Sequence, residues 1–389
     1  MSTLIHSVRL MTASTAGEMT DTDDAWVLFE RGRVAALGTG DEWRARVAAR
    51  VIDGRVDAGP GALLTPGMID LHGHGAAGVS YDDPDADAVL RAVAAHARHG
   101  TTRAILSLAT AEAAAMQAAA ARIADLVGDE TGVLGSHLEG PFLDAAHRGA
   151  HAGDLLRPPL PDAVAALLRA GRGTVRQITL APELPGGFDA VRAVVDAGAI
   201  AAVGHTGASA EIAARAFDAG ARILTHAFNA MPGLHHRAPG PVAAAAADDR
   251  VTLEAIADGV HLDPVVLTLL TRMAPGRVAL VTDAMAATCA GDGDYRLGVL
   301  DVSVEGGIAH VRGTTTIAGS TLTQDRAVRV AVAAGVPLPD AVHAATAAPA
   351  RLLGRGDLGM LQPAAAADAV LWSADLAVRG VWRAGTRLS

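Results

Sequence analysis

Residues 65–75 read TPGMIDLHGHG, and two imidazoles in that stretch, His72 and His74, organise the reading of everything else. Met68, Ile69 and Leu71 form a short apolar run behind Pro66-Gly67, the pattern of a buried strand. His72 and His74 stand two apart at its end. Alternate residues of a strand face the same way, so both rings can converge on one point. Gly73 and Gly75 leave room beside them, and a divalent ion is the natural occupant of that space. The plainer alternative is a tight turn carrying two histidines, and the tripeptide alone does not choose between the two.

Composition narrows the setting. The 389 residues are half hydrophobic, enough for a large core; the length allows two or three domains, although a barrel often exceeds roughly 200 residues as one unit. A formal net charge of −10 argues against a general nucleic-acid or membrane surface. A small anionic substrate stays open, because a few local arginines suffice to bind one. No basic region followed by an apolar stretch opens the sequence, so no signal peptide is expected. No apolar run reaches the roughly 18 residues of a spanning helix. Cys289 is the sole cysteine, so no intrachain disulfide can form, and a cytoplasmic enzyme fits best. All 32 cationic side chains are arginine. The lack of lysine excludes a Schiff-base lysine, a P-loop lysine and a carbamylated lysine bridging two metals.

Outward from the HGH stretch, the chain reads as β-structure up to about residue 60, with apolar runs at 25–29 and 34–37 between turn signals. From residue 63 short apolar strands alternate with alanine-rich helical stretches, the signature of βα units. Eight strands are expected, at 68–71, 104–108, 133–138, 177–180, 201–203, 223–225, 252–257 and 278–282. The intervening helices include 88–97, 111–126 and 210–219. This predicts an α/β fold, a (β/α)8 TIM-type barrel. A glycine-rich hairpin excursion is expected over 291–319, then helices near 322–334 and 340–353, then strands at 368–372 and 378–382. β-structure at each end predicts a small β-sandwich domain built from both termini, 1–60 plus 355–389, beside a metal-dependent catalytic barrel over 61–354.

Barrel enzymes carry their chemistry at the C-terminal ends of the strands. Those ends deliver His72 and His74, Glu139, His205, His226, His261 and Asp283, from strands one, three, five, six, seven and eight. Each has a plainer reading: Glu139 as a turn residue before Gly140-Pro141, His205 and His226 as core histidines, Asp283 as a helix cap. Together those readings require several coincidences. Imidazole nitrogens with a carboxylate suit Zn²⁺ or Fe²⁺, leaving a position for water. Such an ion lowers the pKa of its water from about 16 towards 7. A carboxylate beside that water can take its proton and later return one to a leaving group, and Asp283 is the candidate. His96 and His99 are expected on the solvent side of an amphipathic helix, and His343 is read as structural.

The motifs PGMIDLHGHG, HLEGPFL, RGAHAGD, GHTGAS, THAFNAMP, DGVHLD, TDAM and IAGS follow one another along nearly the whole chain. In that order they resemble the amidohydrolase superfamily and, within it, the N-acetylglucosamine-6-phosphate deacetylase family. The resemblance implies that Glu139, His205 and His226 hold the metal found throughout the family and that Asp283 is its general acid/base. It implies that His261 binds the sugar or polarises the carbonyl, and that His151 is another sugar contact. Asn229 and Ala230, through backbone amides, and Arg237, through its guanidinium, correspond to the phosphate-binding group. Some family members lack the N-terminal histidine pair and use one metal. Here His72 and His74 are both present, which favours a second ion, with Glu139 as the bridging ligand; one or two ions per subunit remain open.

The activity this implies is metal-dependent hydrolysis of the acetamide of N-acetylglucosamine 6-phosphate to glucosamine 6-phosphate and acetate. Its setting would be amino-sugar catabolism or cell-wall recycling. The alternatives are an amidohydrolase for a related N-acyl amino sugar and a catalytically silent barrel scaffold. The expected partners are a small amino-sugar phosphate and, by analogy with the family, a second copy of the chain in a homodimer. No nucleic acid and no membrane is expected.

Overall fold

The computed structural model describes residues 2–389. Eight strands form one sheet in chain order: β1 (Met68–Asp70), β2 (Thr101–Leu108), β3 (Val133–Glu139), β4 (Val175–Leu180), β5 (Ile200–Val203), β6 (Ile223–Leu224), β7 (Thr252–Ile256) and β8 (Val278–Val281). Each pair from β2 to β8 is parallel. Parallel strands covered on both faces tolerate near-continuous apolar runs, and VALV of β8 is buried at every position. Helices separate the strands, among them Ala86–Ala97, Ala113–Leu126, Gly187–Asp196 and Ala210–Asp218. The last of these starts at Ser209, whose side chain accepts the Ile212 N–H as an N-cap.

The seam between the first and last strands is closed by the residues that follow them. Asp283 N–H donates to the His72 carbonyl at 2.8 Å, and Gly73 and Ala284 form a parallel bridge. The result is a nearly closed (β/α)8 barrel. Several inward positions are polar: Ser107, His137, Gln177, Thr179 and Glu254 are all fully or almost fully buried.

A separate eight-stranded sheet is built from both ends of the chain. Its order is Thr386–Arg387, Val378–Arg383, Ala369–Trp372, Leu63–Pro66, Thr3–Ala13, Met19–Glu30 and Arg33–Thr39, with Arg50–Asp53 also pairing against Thr3–Ala13. Alternation along the strands separates two apolar layers. Ile5, Val27, Phe29, Leu64, Leu371 and Trp382 share one, while Leu4, Trp26 and Leu28 pack in the other. Arg103 and Asp368 form a buried bidentate pair at 2.6 and 3.2 Å.

The chain divides into two compact units. One runs up to Asp70 and adds His96–Arg103 and Gln324–Ser389; the other comprises Leu71–Ala95 and Ala104–Thr323. The excursion after β8 is a three-stranded antiparallel meander, Gly293–Leu297, Leu300–Glu305 and Ile308–Val311.

One expectation fails here. His96 is buried, on the same helical stripe as Val89, Ala92 and Val93. Alanines at the flanks widened the helix's apolar face beyond what its larger side chains marked. His99 lies just past the helix and pairs with Asp325 at 3.3 Å. His343 is buried, as expected of a structural residue. Among the described residues no helix is long and apolar enough to cross a membrane.

Candidate metal centre

The strand ends place the site. His72, His205, His226 and Asp283 each lie two residues beyond the last residue of β1, β5, β6 and β8, and Glu139 ends β3. Three of them take left-handed backbone: His205 at φ 48°, His226 at 28° and Asp283 at 47°. Non-glycine residues adopt that region at a cost of order 1–3 kcal/mol, which the surrounding structure must hold in place. The turns aim the three side chains back over the barrel mouth.

There they meet. Glu139 Oε1 lies 3.1 Å from His205 Nε2 and 3.2 Å from His226 Nε2, and those two nitrogens are 3.0 Å apart. Glu139 Oε2 lies 3.1 Å from His74 Nε2 and 3.4 Å from His151 Nε2. His72 Nε2 and His74 Nε2 are 3.2 Å apart, and Asp283 Oδ1 sits 3.5 and 3.3 Å from them. Glu139 is thus central to two clusters, His72–His74–Asp283 and Glu139–His205 with His226 and His151, all buried.

The hydrogen bonds at the far side of each ring test whether these donors fit an ion. His205 Nδ1 faces the His147 carbonyl at 3.0 Å, which fixes its proton on Nδ1 and leaves Nε2 bare. That lone pair points at a carboxylate oxygen and at another imidazole nitrogen. His72 Nδ1 likewise donates to Glu254 Oε2 at 3.2 Å, so in the neutral ring Nε2 is the bare nitrogen, and it faces His74 and both carboxylates. Nε2 protons on His74 and His226, whose Nδ1 atoms are buried without a partner, bridge these acceptors, and a divalent cation displaces them when it binds. Nitrogen and oxygen ligands about 2.0–2.1 Å from a tetrahedral divalent ion stand roughly 3.4 Å apart, close to the spacings here. The donor set fits a divalent metal.

His151 is the exception. Its Nδ1 accepts the Thr110 backbone N–H at 3.3 Å, so the proton is on Nε2, which donates towards Glu139. It offers a hydrogen bond to the cavity rather than a lone pair. His261 is held by Asp258, Nδ1–H to Oδ2 at 2.7 Å, while Asp258 Oδ1 accepts the backbone N–H groups of Val260 and His261.

Charge follows the same logic. Burial opposes protonation of His74, but Asp283 and Glu139 outweigh it and raise its pKa to about 9. Burial also works against His72, again outweighed by Glu139 and Asp283. For His205 burial prevails and the pKa falls to about 4, so this ring stays neutral and available as a ligand. Glu139 and Asp283 both lie well below the usual carboxylate range, because the surrounding imidazoles outweigh burial. His261 is raised, with Asp258 outweighing the opposing burial.

A cavity of about 270 Å³ opens over the centre. His74, Glu139, His151, His205, His226, Asn229, Ala230, His261 and Asp283 line it, with Leu297, Thr315 and Ile317 forming a further wall. The backbone N–H of Asn229 is committed to the His226 carbonyl, and its side-chain amide donates to the carbonyls of His226 and Ala227. Arg237 stands apart: it lies on the exposed segment 233–239 and contributes nothing to the cavity wall. The sequence reading missed Glu254, Asp258 and His137. Glu254 had a signal, a carboxylate inside the apolar run VTLEAIA. His137, hydrogen-bonded to Ser107 and Thr179 and edge-on to the His72 ring, was hidden beside the more conspicuous Glu139.

A parallel barrel with imidazoles and carboxylates converging at its C-terminal rim defines a metal-dependent hydrolase class, and the chain belongs to the amidohydrolase family, whose model matches residues 63–388. It is 40% identical over 329 residues to an N-acetylgalactosamine-6-phosphate deacetylase of Escherichia coli O157:H7, covering 83% of this chain and 87% of that protein. It is 37% identical over 351 residues to the N-acetylglucosamine-6-phosphate deacetylase of Bos taurus, covering 86% and 85%. Among solved structures it is similar to N-acetyl-D-glucosamine-6-phosphate deacetylase from Mycobacterium smegmatis, an aspartate-to-alanine variant in complex with N-acetyl-D-glucosamine-6-phosphate. That match has 40% identity and a TM-score of 0.92, covering 100% of this chain and 99% of the other.

Proposed function

We propose that the chain removes the acetyl group from an N-acetylamino-sugar 6-phosphate, with N-acetylglucosamine 6-phosphate as the principal substrate and glucosamine 6-phosphate and acetate as products. The observation that carries this reading is the complete set at the cavity floor: bare imidazole nitrogens, a central carboxylate, and a separate carboxylate, Asp283, facing the same space. A silent scaffold would have no need to gather these groups in one buried space.

Glu139, His205, His226, His72 and His74 would hold the ion, zinc or iron, as one or two per subunit. When bound, it supplies a water acidic enough to ionise near neutral pH and a positive charge for the acyl oxygen. Asp283, an ionised carboxylate, accepts the water's proton as the oxygen attacks the acetyl carbon. His261 keeps its Nδ1 proton on Asp258, so it can present an Nε2–H to the developing oxyanion only as the imidazolium, the form Asp258 favours. Asp283 then passes its proton to the departing amine, which leaves as the C–N bond breaks. His151, donating from Nε2, orients the sugar.

Phosphate recognition is assigned to the backbone N–H of Ala230 and to Arg237, with Asn229, whose N–H groups are committed to His226 and Ala227, bracing the turn that presents Ala230. Arg237 lies on an exposed segment outside the cavity wall, so its guanidinium is assigned to the phosphate on the family resemblance alone. We further propose a homodimer and a cytoplasmic setting, on the family resemblance and the single-cysteine composition. The relative from Escherichia coli favours a second reading, N-acetylgalactosamine 6-phosphate, which differs only in the configuration of one ring hydroxyl. Acetate release measured on both phosphorylated sugars and on their unphosphorylated forms, after metal reconstitution, decides among these. No release from any of the four sugars would refute the reading.

A further inference from the structure

Glu254 is a carboxylate with no exposure at all, in the middle of β7, and the chemistry above makes no use of it. Its side-chain oxygens accept hydrogen bonds from three neighbours. Oε2 takes His72 Nδ1–H at 3.2 Å and the backbone N–H of His226 at 3.3 Å, and Oε1 takes the Gln177 amide at 2.9 Å. Among the described residues the carboxylate pairs with the His72 imidazole. A buried carboxylate is held by the hydrogen bonds donated to it, and the ring of His72 supplies one of the three here.

We propose that Glu254 is a positioning residue that prepares both clusters for the ion: it fixes the His72 proton on Nδ1 and anchors the left-handed turn that aims His226. The inference rests on reading the centre as a divalent-ion site. With the proton held on the Glu254 side, the lone pair of His72 Nε2 faces His74, Glu139 and Asp283. Carboxylates hydrogen-bonded behind metal-bound histidines set ring orientation and basicity, and their loss typically costs about 10–100-fold in metal affinity. One residue on β7 reaches the side chain of His72 after β1 and the backbone of His226 after β6, so a single carboxylate tunes both groups of ligands.

Two substitutions separate charge from geometry. Glu254→Gln removes the charge and keeps the shape. Gln177 Oε1 has no partner, so that amide can turn to accept from the new one, and an oxygen can still face His72 and His226. Glu254→Met keeps the volume and removes both acceptors, which frees His72 to place its proton on Nε2. Zinc affinity is measured by chelator competition, alongside denaturation midpoints of the metal-free proteins and ¹⁵N signals of the His72 ring. We expect zinc binding about tenfold weaker in Glu254→Gln and about a hundredfold weaker in Glu254→Met, the two ends of that range. The Nδ1–H signal of His72 should be present in the zinc-loaded parent and absent in Glu254→Met. Should the Met variant fail to fold, the Gln variant and the parent's ring signal decide. Zinc affinities within about twofold of the parent in the folded variants would overturn the inference and leave the metal centre standing. A parent that binds no divalent ion would overturn both.

Discussion

Asp283→Asn isolates proton transfer from every other duty of that position. The residue occupies left-handed backbone at φ 47°, a conformation asparagine accepts readily, so the turn keeps its shape. Its volume is unchanged, and one oxygen remains to face His74 and His72, at 3.3 and 3.5 Å in the parent. What disappears is the ability to take and return a proton, together with one negative charge. General acid/base groups contribute about 10²–10⁴ in rate, or roughly 2.7–5.4 kcal/mol at 1.36 kcal/mol per decade. Asp283 serves in both proton transfers, so kcat should fall by at least about a hundredfold, with KM little changed. The assay is steady-state acetate release at saturating sugar phosphate, with metal content measured on the same samples. A variant holding the parent's metal and turning over within about fivefold of it would remove Asp283 from the reaction. Asp283→Ala gives a cross-check, since it adds backbone strain of about 1 kcal/mol and should also lower the denaturation midpoint.

Glu139→Gln should lose divalent metal on dialysis where the parent retains it, because the central carboxylate stands within 3.1–3.4 Å of the Nε2 atoms of His72, His74, His151, His205 and His226; elemental analysis reads the result. For Asp258→Asn the sign follows from His261, whose pKa is raised above 6.5, so the imidazolium and the activity that needs it persist below that raised value and are lost as pH rises through it. Removing a charged partner worth about 1.5–3 kcal/mol should move the alkaline limb of the kcat profile down by about 1–2 pH units; an unmoved limb would show that His261 acts uncharged. Arg237→Ala should raise KM for the phosphorylated sugar by no more than about fivefold, since exposed ion pairs are worth about 0–1 kcal/mol, and should leave the unphosphorylated sugar untouched. Asp368→Asn removes the negative charge paired with the buried Arg103 guanidinium and should cost about 3–5 kcal/mol in denaturant unfolding without altering kcat of the folded fraction.

Much of this was legible in the residues. A β/α alternation whose strands are apolar runs can be read directly, and all eight strand positions agree with the structure to within three residues. The site was legible because its members follow strand ends at regular offsets, so placing the strands placed His72, His205, His226 and Asp283 together. Tautomers were not, since they depend on what stands behind each ring. Sequence spacing does not distinguish His151, with its Nδ1 facing an amide, from His205, with its Nδ1 facing a carbonyl. Nor did an alanine-rich helix reveal that His96 faces inward, because alanine marks neither side strongly. The loop carrying Arg237 is exposed and polar, and no periodicity ties it to the cavity.

The closure of the barrel has a consequence for endurance. The first and last strands are joined past their ends, through Asp283 N–H to the His72 carbonyl and His74 N–H to the Ala284 carbonyl. The same short join carries the reactive groups, so a local opening there would scatter the chemistry long before the domain melts. A cation gripping His72, His74 and Asp283 would act as a rivet across that gap. Amide exchange at His74 and Asp283 should therefore quicken on chelation while the central strands stay protected, and uniform exchange across the barrel would show that the join opens only with the whole fold.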